Sequence, residues 1–192
     1  MQENKKIVVA VTGASGSVYA QRLFHHLGKL PKEKYQIEVV FSDTAKKVWE
    51  FELKGDSYRD LPFRIWGNSD FWAPFASGSA GFDTLIVCPC TAGTMGRIAT
   101  GTADDLICRA ADVMLKERKK LILALRETPF NLVHIRNMET VTLAGGIICP
   151  ASPSFYSNPS TKEEIVDTVV QRVLQLAEIE GAFFRWGMNT QQ

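Results

Sequence analysis

The segment from Thr84 to Glu127 reads TLIVCPCTAGTMGRIATGTADDLICRAADVMLKERKKLILALRE. It begins with an apolar run, passes through a turn of small residues and a helical pattern, and ends in a second apolar run that closes on Arg126-Glu127. Buried parallel strands read as continuous apolar runs of this kind, and a helix between them forms a crossover. The segment therefore predicts a β-α-β unit whose polar residues follow the strands, where open α/β sheets bind ligands.

The same alternation extends over the rest of the chain. It predicts a single-domain α/β fold, a three-layer doubly wound parallel sheet of Rossmann-like or flavodoxin-like type, over residues 1–192 with a C-terminal tail from about residue 180. A helix also opens at Thr91, and Thr161 with Glu164 predicts a capped start for the last helix. The predicted strands are Ile7–Thr12, Ile37–Phe41, Thr84–Cys88, Leu121–Leu125 and Ile147–Cys149, and the other predicted helices are Val18–Leu30, Thr44–Phe51, Asp104–Lys119 and Lys162–Glu178.

Two long stretches interrupt this pattern, residues 54–81 and residues 150–159. Loops of this length in a compact domain are usually functional or part of an interface. The first stretch is rich in aromatic residues that fit either a subunit interface or a local core, namely Trp66, Phe71, Trp72 and Phe75.

Composition narrows the class of protein. The chain has 192 residues, of which 45% are hydrophobic and 22% charged, with a net charge of +1. These values are typical of a soluble globular protein and give no reason to expect nucleic-acid or membrane binding. The first apolar run is too short to cross a bilayer, so we expect a cytoplasmic protein. A local basic cluster fits a solvated helix end and consists of Lys116, Arg118, Lys119 and Lys120.

The cysteines do not predict a metal centre. Cys88, Cys90, Cys108 and Cys149 lack the spacing of a zinc site, and the three histidines do not complete one. We expect reduced, mostly buried thiols and no metal.

Residues at four strand ends are candidates for chemistry. Gly13-Ala14-Ser15-Gly16 follows the first strand and opens a helix, whose N-terminus favours a phosphate, although a plain turn fits as well. Ser42 ends the second strand and suits a hydroxyl contact to a flavin or sugar. Thr91-Ala92-Gly93-Thr94 offers hydroxyls and N–H groups to a carbonyl-rich ring or a phosphate, and threonine N-capping fits too. Arg126 beside Glu127 can hold an anion while the carboxyl moves a proton, the alternative being a surface ion pair.

Six ordered motifs together resemble the UbiX-type flavin prenyltransferases, from about residue 6 to residue 187. They are GASGSVYAQRL (13–23), CPCTAGTMGRIATG (88–101), DLICRAADVMLKERKKLIL (105–123), LRETPFNLVHIRNM (125–138), PASPSFY (150–156) and RWG (185–187). The resemblance implies a metal-independent transferase that joins the dimethylallyl group of dimethylallyl monophosphate to reduced FMN at N5 and C6. It also implies that the product, prenylated FMN, serves UbiD-type decarboxylases, and that the protein is a homo-oligomer, commonly a dodecamer.

Roles carried over from this resemblance are expectations for the matching positions. Glu52 matches an acidic residue near the flavin, suited to removing the C6 proton, and Glu127 matches one that can protonate the phosphate. Trp186 matches an aromatic residue that can cover the site, although alone it would more often be a packing residue. FMN would contact Gly13, Ala14, Ser15, Ser42, Thr91, Ala92, Gly93, Thr94 and Arg126. The prenyl phosphate would contact Tyr156, Arg172, Lys116 and Arg109, with Ser77 and Ser79 divided between this role and loop structure.

One departure and two other functions stay open. Family members often carry an Asp-Trp pair where this chain has Asp70-Phe71-Trp72, so either Phe71 or Trp72 can face the substrate. A flavin-dependent cysteine decarboxylase shares the fold, but typically has a catalytic His and an Asn-containing segment that are not apparent here. An FMN-binding electron carrier of flavodoxin type would usually be strongly acidic.

Overall fold

A computed structural model describes residues 4–181. Strands and helices alternate along the chain, as the sequence predicts. The strands are β1 (Lys5–Val11), β2 (Tyr35–Phe41), β3 (Arg64–Gly67), β4 (Thr84–Cys90), β5 (Lys120–Leu125) and β6 (Ile147–Pro150). The helices are α1 (Ser17–Leu27), α2 (Asp43–Leu53), α3 (Ala92–Ala99), α4 (Leu106–Lys116), α5 (Leu132–Leu143) and α6 (Lys162–Leu176).

The strands form one parallel sheet in the order β3-β2-β1-β4-β5-β6. This is the strand order of the Rossmann fold, so the predicted doubly wound α/β class is confirmed and the flavodoxin order is not adopted. The order reverses between β1 and β4. Ligands in open α/β sheets bind outside the carboxyl ends of the strands at such a switch point. The loops after β1 and β4 therefore mark the expected site.

Both faces of the sheet are covered, which explains the continuous apolar runs in its central strands. Ile7, Val9 and Val11 pack on one side with α1, α2 and α6, whereas Val8 and Ala10 pack on the other with α3, α4 and the 68–82 segment. Burying both faces leaves no alternation of polar and apolar residues to read in the sequence.

Two elements were not predicted from the sequence. β3 has only four residues and lies at the edge of the sheet inside the long aromatic stretch. α5 begins at a capping box formed by Asn131 and His134, yet Val141 is its only buried residue, so it lacks an apolar stripe.

The aromatic residues of segment 54–81 had two interpretations, a local core or a subunit interface. Trp66 and Phe75 belong to the core, with ring centroids 6.1 Å apart. Phe71 and Trp72 are exposed, Trp72 to 94%. The core interpretation therefore holds for the first pair only.

The predicted burial of the cysteines is confirmed, since all four are buried and none forms a disulfide. Burial, together with the neighbouring Cys149, raises the pKa of Cys88 to about 12, so its thiol stays protonated and unreactive. Within residues 4–181, no helix combines the length and apolar character required to cross a bilayer.

Candidate active site at the carboxyl end of the sheet

The loop after β1 lies directly against the start of α2. A Cβ added to Gly13 would come within 2.4 Å of Thr44 Cγ2, so glycine is required for this close approach. Ser42 joins the two elements, because its N–H donates to the Val11 carbonyl at 3.0 Å and its hydroxyl accepts from the Ala45 N–H at 3.1 Å. The predicted flavin residues Gly13 and Ser42 are therefore neighbours at the switch point.

Glu52, from the last turn of α2, occupies the N-terminus of α1. Its carboxylate accepts the Gly16 N–H at 2.9 and 3.0 Å and the Ser17 N–H at 2.7 Å. Burial alone would raise the pKa of Glu52, but hydrogen bonds from the Ser15 side chain and these two N–H groups outweigh burial and lower it. The sequence suggested a phosphate at this helix end, and the structure places a carboxylate there instead.

Thr12 connects the loops on the two sides of the switch point. Its hydroxyl donates to the Pro89 carbonyl at 2.8 Å and accepts the Thr91 N–H at 2.9 Å. The side chain is buried, so this polar group is satisfied inside the protein. Sequence reasoning did not assign Thr12 to the site, although a hydroxyl at the end of an apolar run was the available signal.

Thr91 caps α3, as the structural alternative for this motif predicted. Its hydroxyl oxygen accepts the Thr94 N–H at 3.0 Å and its hydroxyl lies 2.9 Å from Thr94 Oγ1. The N–H groups of Ala92 and Gly93 lie in the first turn, where helix geometry provides no intrahelical acceptor. A Cβ on Gly93 would meet only Thr91 Oγ1, at 3.9 Å, so internal packing does not require a glycine here. The small residue leaves room in the crevice, which fits a bound flavin.

Arg126 brings the end of β5 to the same place. Its N–H donates to the Cys90 carbonyl at 3.0 Å, and its Cγ lies 4.0 Å from the position that a Gly16 Cβ would take. Glu127 follows, half-buried, and accepts the Thr128 N–H at 3.1 Å. The structure therefore gathers the residues predicted from the first, second, third and fourth strand ends.

A separate cavity of about 210 Å³ lies between the end of β6, the loop 151–160 and α6. We call it the α6 cavity. Arg172 lines it, and the exposed Tyr156 lies on the loop between two lining serines. Within residues 4–181, its lining carries one cation and no carboxylate, which suits an anion. The lining residues are Cys149, Pro150, Ser152, Ser154, Ser157, Thr168, Val169, Gln171, Arg172 and Gln175.

Four other predicted residues lie elsewhere, and we call Ser77, Ser79, Arg109 and Lys116 the α4 group. Lys116 is the last residue of α4, just before β5 begins, and pairs with Glu117. Arg109, two turns earlier on α4, donates to the Ala76 carbonyl at 3.0 Å and pairs with Asp112. Ser77 and Ser79 have hydroxyls 3.1 Å apart on the adjoining loop.

The side-chain hydrogen bonds and ion pairs of the α4 group, within residues 4–181, stay inside α4 and its adjoining segments. Lys116, at the end of α4, and Ser79, which lies beside the first residues of β1, β4 and β5, are therefore at the amino edge of the sheet and not at the loops after β1 and β4. Trp186 lies outside the described residues.

One cluster of acidic residues and a thiol is explained without a ligand. Asp104, Asp105 and Cys108 lie within reach of a single metal ion. Arg97, however, already pairs with Asp104 at 2.9 Å and Asp105 at 2.5 Å, and Asp105 caps α4. Arg97 therefore offsets part of the negative charge, and Asp105 has a structural role as the cap of α4.

The Flavoprotein family model matches residues 1–174 of the chain. A flavin prenyltransferase UbiX from Methanocaldococcus jannaschii is 41% identical over 185 residues, covering 95% of this chain and 98% of that protein. The chain belongs to the UbiX family of flavin prenyltransferases.

Solved structures of the UbiX family agree with this assignment. The crystal structure of AnUbiX (PadA1) with FMN and dimethylallyl pyrophosphate superposes with a TM-score of 0.88 and 36% identity, over 96% of this chain and all of that one. A dodecameric FMN-dependent UbiX-like decarboxylase from Escherichia coli O157:H7 also gives a TM-score of 0.88, with 35% identity over 94% of this chain and 98% of that chain. The family resemblance predicted from the six motifs is confirmed.

Proposed function

We propose that this protein is a flavin prenyltransferase that uses dimethylallyl monophosphate and reduced FMN to make prenylated FMN. The observation that carries the proposal is the convergence of Gly13, Glu52, Thr91 and Arg126 at the switch point, in a chain of the UbiX family. The UbiX relative AnUbiX binds FMN together with a prenyl pyrophosphate.

Different loops at the switch point would bind different parts of FMN. The first turn of α1 is engaged by Glu52, whereas the first turn of α3 is open to an anion, so we assign the flavin phosphate to residues 91–94. Small residues at 13–16 then leave space for the ring beside Glu52, and Arg126 adds positive charge. Reduced FMN supplies the nucleophilic N5 and C6 atoms.

The chain's own side chains would handle charge and protons. The C–O bond of the prenyl phosphate breaks and the phosphate leaves with the electron pair, so Arg172 and Tyr156 stabilise the leaving anion. Glu127, which follows β5, would protonate that phosphate. Attachment at N5 would release the N5 proton, and closing the ring at C6 would require protonation of the remaining allyl double bond before the C6 proton is lost. Glu52 has a lowered pKa, so it is ionised at neutral pH and available to accept that C6 proton.

We further propose that a second copy of the chain supplies the α4 group. Lys116 is an expected phosphate ligand, yet it ends α4 at the amino edge of the sheet, whereas Arg126 follows β5 at the carboxyl edge. Large exposed apolar side chains include Trp72 and Phe155, in the segments after β3 and β6, and Phe51, in the last turn of α2. A protein interface would cover such side chains. The dodecameric E. coli relative supports assembly of this kind.

The decisive experiment is an anaerobic incubation of the FMN-bound protein with a reductant and dimethylallyl monophosphate, followed by mass spectrometry of the released flavin. We expect the flavin mass to rise by one dimethylallyl unit. Arg172→Ala should weaken prenyl phosphate binding more than FMN binding. A folded, FMN-bound protein that leaves the flavin mass unchanged would contradict the proposal. Oxidation of a cysteine peptide with flavin reduction would instead support a cysteine decarboxylase.

Co-expression tests the shared site. A Lys116→Ala subunit and a Glu52→Gln subunit should each be nearly inactive, whereas mixed oligomers regain activity at sites that combine the intact halves. No recovery in demonstrably mixed oligomers would show that each chain builds its own site.

A further inference from the structure

Thr168 joins the loop 151–160 to α6. Its hydroxyl oxygen accepts the Ser154 N–H at 3.0 Å, and the same hydroxyl donates to the Ile165 carbonyl, one turn earlier, at 2.7 Å. Both functions of the hydroxyl are therefore used, and the donor to Ile165 fixes the direction in which the acceptor points. Ser154 is exposed, so this bond holds a surface loop and not a core segment.

The helix that carries Thr168 is itself held firmly. The neighbouring Asp167 accepts two hydrogen bonds from the Arg22 guanidinium, at 2.8 and 2.5 Å, and lies 3.2 Å from His26 Nε2. These contacts hold α6 to α1, and the neighbouring side chains of Val169 and Val170 are buried in the core. Thr168 is thus a fixed point against which a loop can be positioned.

The hydrogen bond lies beside the two groups expected to bind the prenyl phosphate. Thr168 and Arg172 are four residues apart on α6, a spacing that places them on one face, and both line the α6 cavity. Tyr156 lies two residues after Ser154 on the loop. The distance between the Tyr156 hydroxyl and the Arg172 guanidinium therefore depends on how the loop is held to the helix.

We propose that Thr168 is a positioning residue for the prenyl phosphate: by holding Ser154, it sets the loop so that Tyr156 and Arg172 act on the same anion. This inference rests on the proposed function. Thr168 acts through the loop backbone and need not touch the substrate.

The test is Thr168→Val, which keeps the branched shape and removes the hydroxyl. We expect the Kd and KM for dimethylallyl monophosphate to rise about three- to tenfold, the worth of one neutral hydrogen bond. The Kd for FMN should stay within about twofold, and a peptide covering 151–160 should exchange its amide hydrogens faster. Thr168→Ser should restore the wild-type values. Thr140→Val is the matched control, since Thr140 makes the same kind of bond to the carbonyl of Arg136, at 3.0 Å, on α5.

A double-mutant cycle with Tyr156→Phe separates positioning from general stability. If Thr168 acts through Tyr156, its replacement should cost clearly less affinity in the Tyr156→Phe background. Equal losses in both backgrounds, an unchanged Kd for the prenyl phosphate, or an equal loss of FMN affinity would overturn the proposal. Calorimetry of the FMN-bound protein measures the affinity for the prenyl phosphate without requiring a reaction. If the wild type binds the prenyl phosphate but does not turn it over, the proposed function is refuted, and the effect of Thr168 on binding can still be measured. A wild type that does not bind it would refute both.

Discussion

Replacing Glu52 with Gln should weaken the fold and the chemistry together, because one carboxylate serves both. The carboxylate receives the N–H groups of Gly16 and Ser17 and faces the positive end of α1. Glutamine keeps the shape but loses the charge, and its NH₂ group cannot accept a hydrogen bond. Loss of a charge-assisted hydrogen bond and of the helix-dipole interaction gives a decrease of roughly 1–3 kcal/mol in the free energy of unfolding. For a chain of this length, the melting temperature should fall by about 2–12 °C.

The stabilisation by Glu52 should depend on pH in a defined direction. The folded protein holds the pKa of Glu52 below its ordinary value of 4.5, so its contribution to stability is fully present above 4.5. That contribution is lost as the pH falls through the lowered pKa. The melting curves of wild type and Glu52→Gln should therefore be well separated at neutral pH and converge in acid. Circular dichroism at a fixed heating rate, from neutral pH to the onset of acid unfolding, measures this separation.

Glu33→Gln is the matched control, since Glu33 is exposed in the turn before β2 and should leave the melting temperature unchanged. In the prenylation assay, Glu52→Gln should retain FMN and react about 10²- to 10⁴-fold more slowly, the usual contribution of a general base. Equal melting of the two variants at neutral pH would refute the capping role. An unchanged prenylation rate would remove Glu52 from the chemistry and leave the stability argument intact.

Three further predictions concern single residues. Gly13→Ala places a Cβ within 2.4 Å of Thr44, so a flavin fluorescence titration should show weaker FMN binding, whereas Gly55→Ala, which meets nothing within 4 Å, should bind FMN normally. Trp72→Ser should leave the melting of the fold nearly unchanged, because the side chain is 94% exposed, and should shift the sedimentation profile toward smaller oligomers. Asp167→Asn leaves a half-buried guanidinium poorly paired, and urea unfolding should show a loss of about 3 kcal/mol.

The fold was predictable where burial is uniform. β1 from Ile7 onward and β4 from Leu85 onward are apolar because helices or loops cover both faces. The pair Thr161 and Glu164 predicts the start of α6. β3 and α5 were not predicted, since an edge strand of four residues and a helix with one buried side chain carry little periodic signal.

The candidate site was predictable in part, for a geometric reason. Parallel strands end at one edge of the sheet, so residues that follow strands, such as Ser42, Thr91 and Arg126, must meet there. The contact between Glu52 and α1 depends on how α2 lies across the loop after β1, which sequence spacing does not encode. Motif matching likewise assigned a role to Lys116 without showing on which side of the sheet it lies.

The position of Lys116 relative to Arg126 has a consequence for how the enzyme must be built. They are only about ten residues apart, but β5 runs between them and its six residues span roughly 20 Å from one edge of the sheet to the other. A crossover helix returns the chain to the amino edge, so its last residues cannot reach the ligand site at the carboxyl edge of the same sheet. If both residues act on one phosphate, two chains must meet with the α4 end of one facing the carboxyl edge of the other. Oligomerisation would then be a condition for prenyl transfer, and a folded monomer should retain flavin binding while losing the reaction.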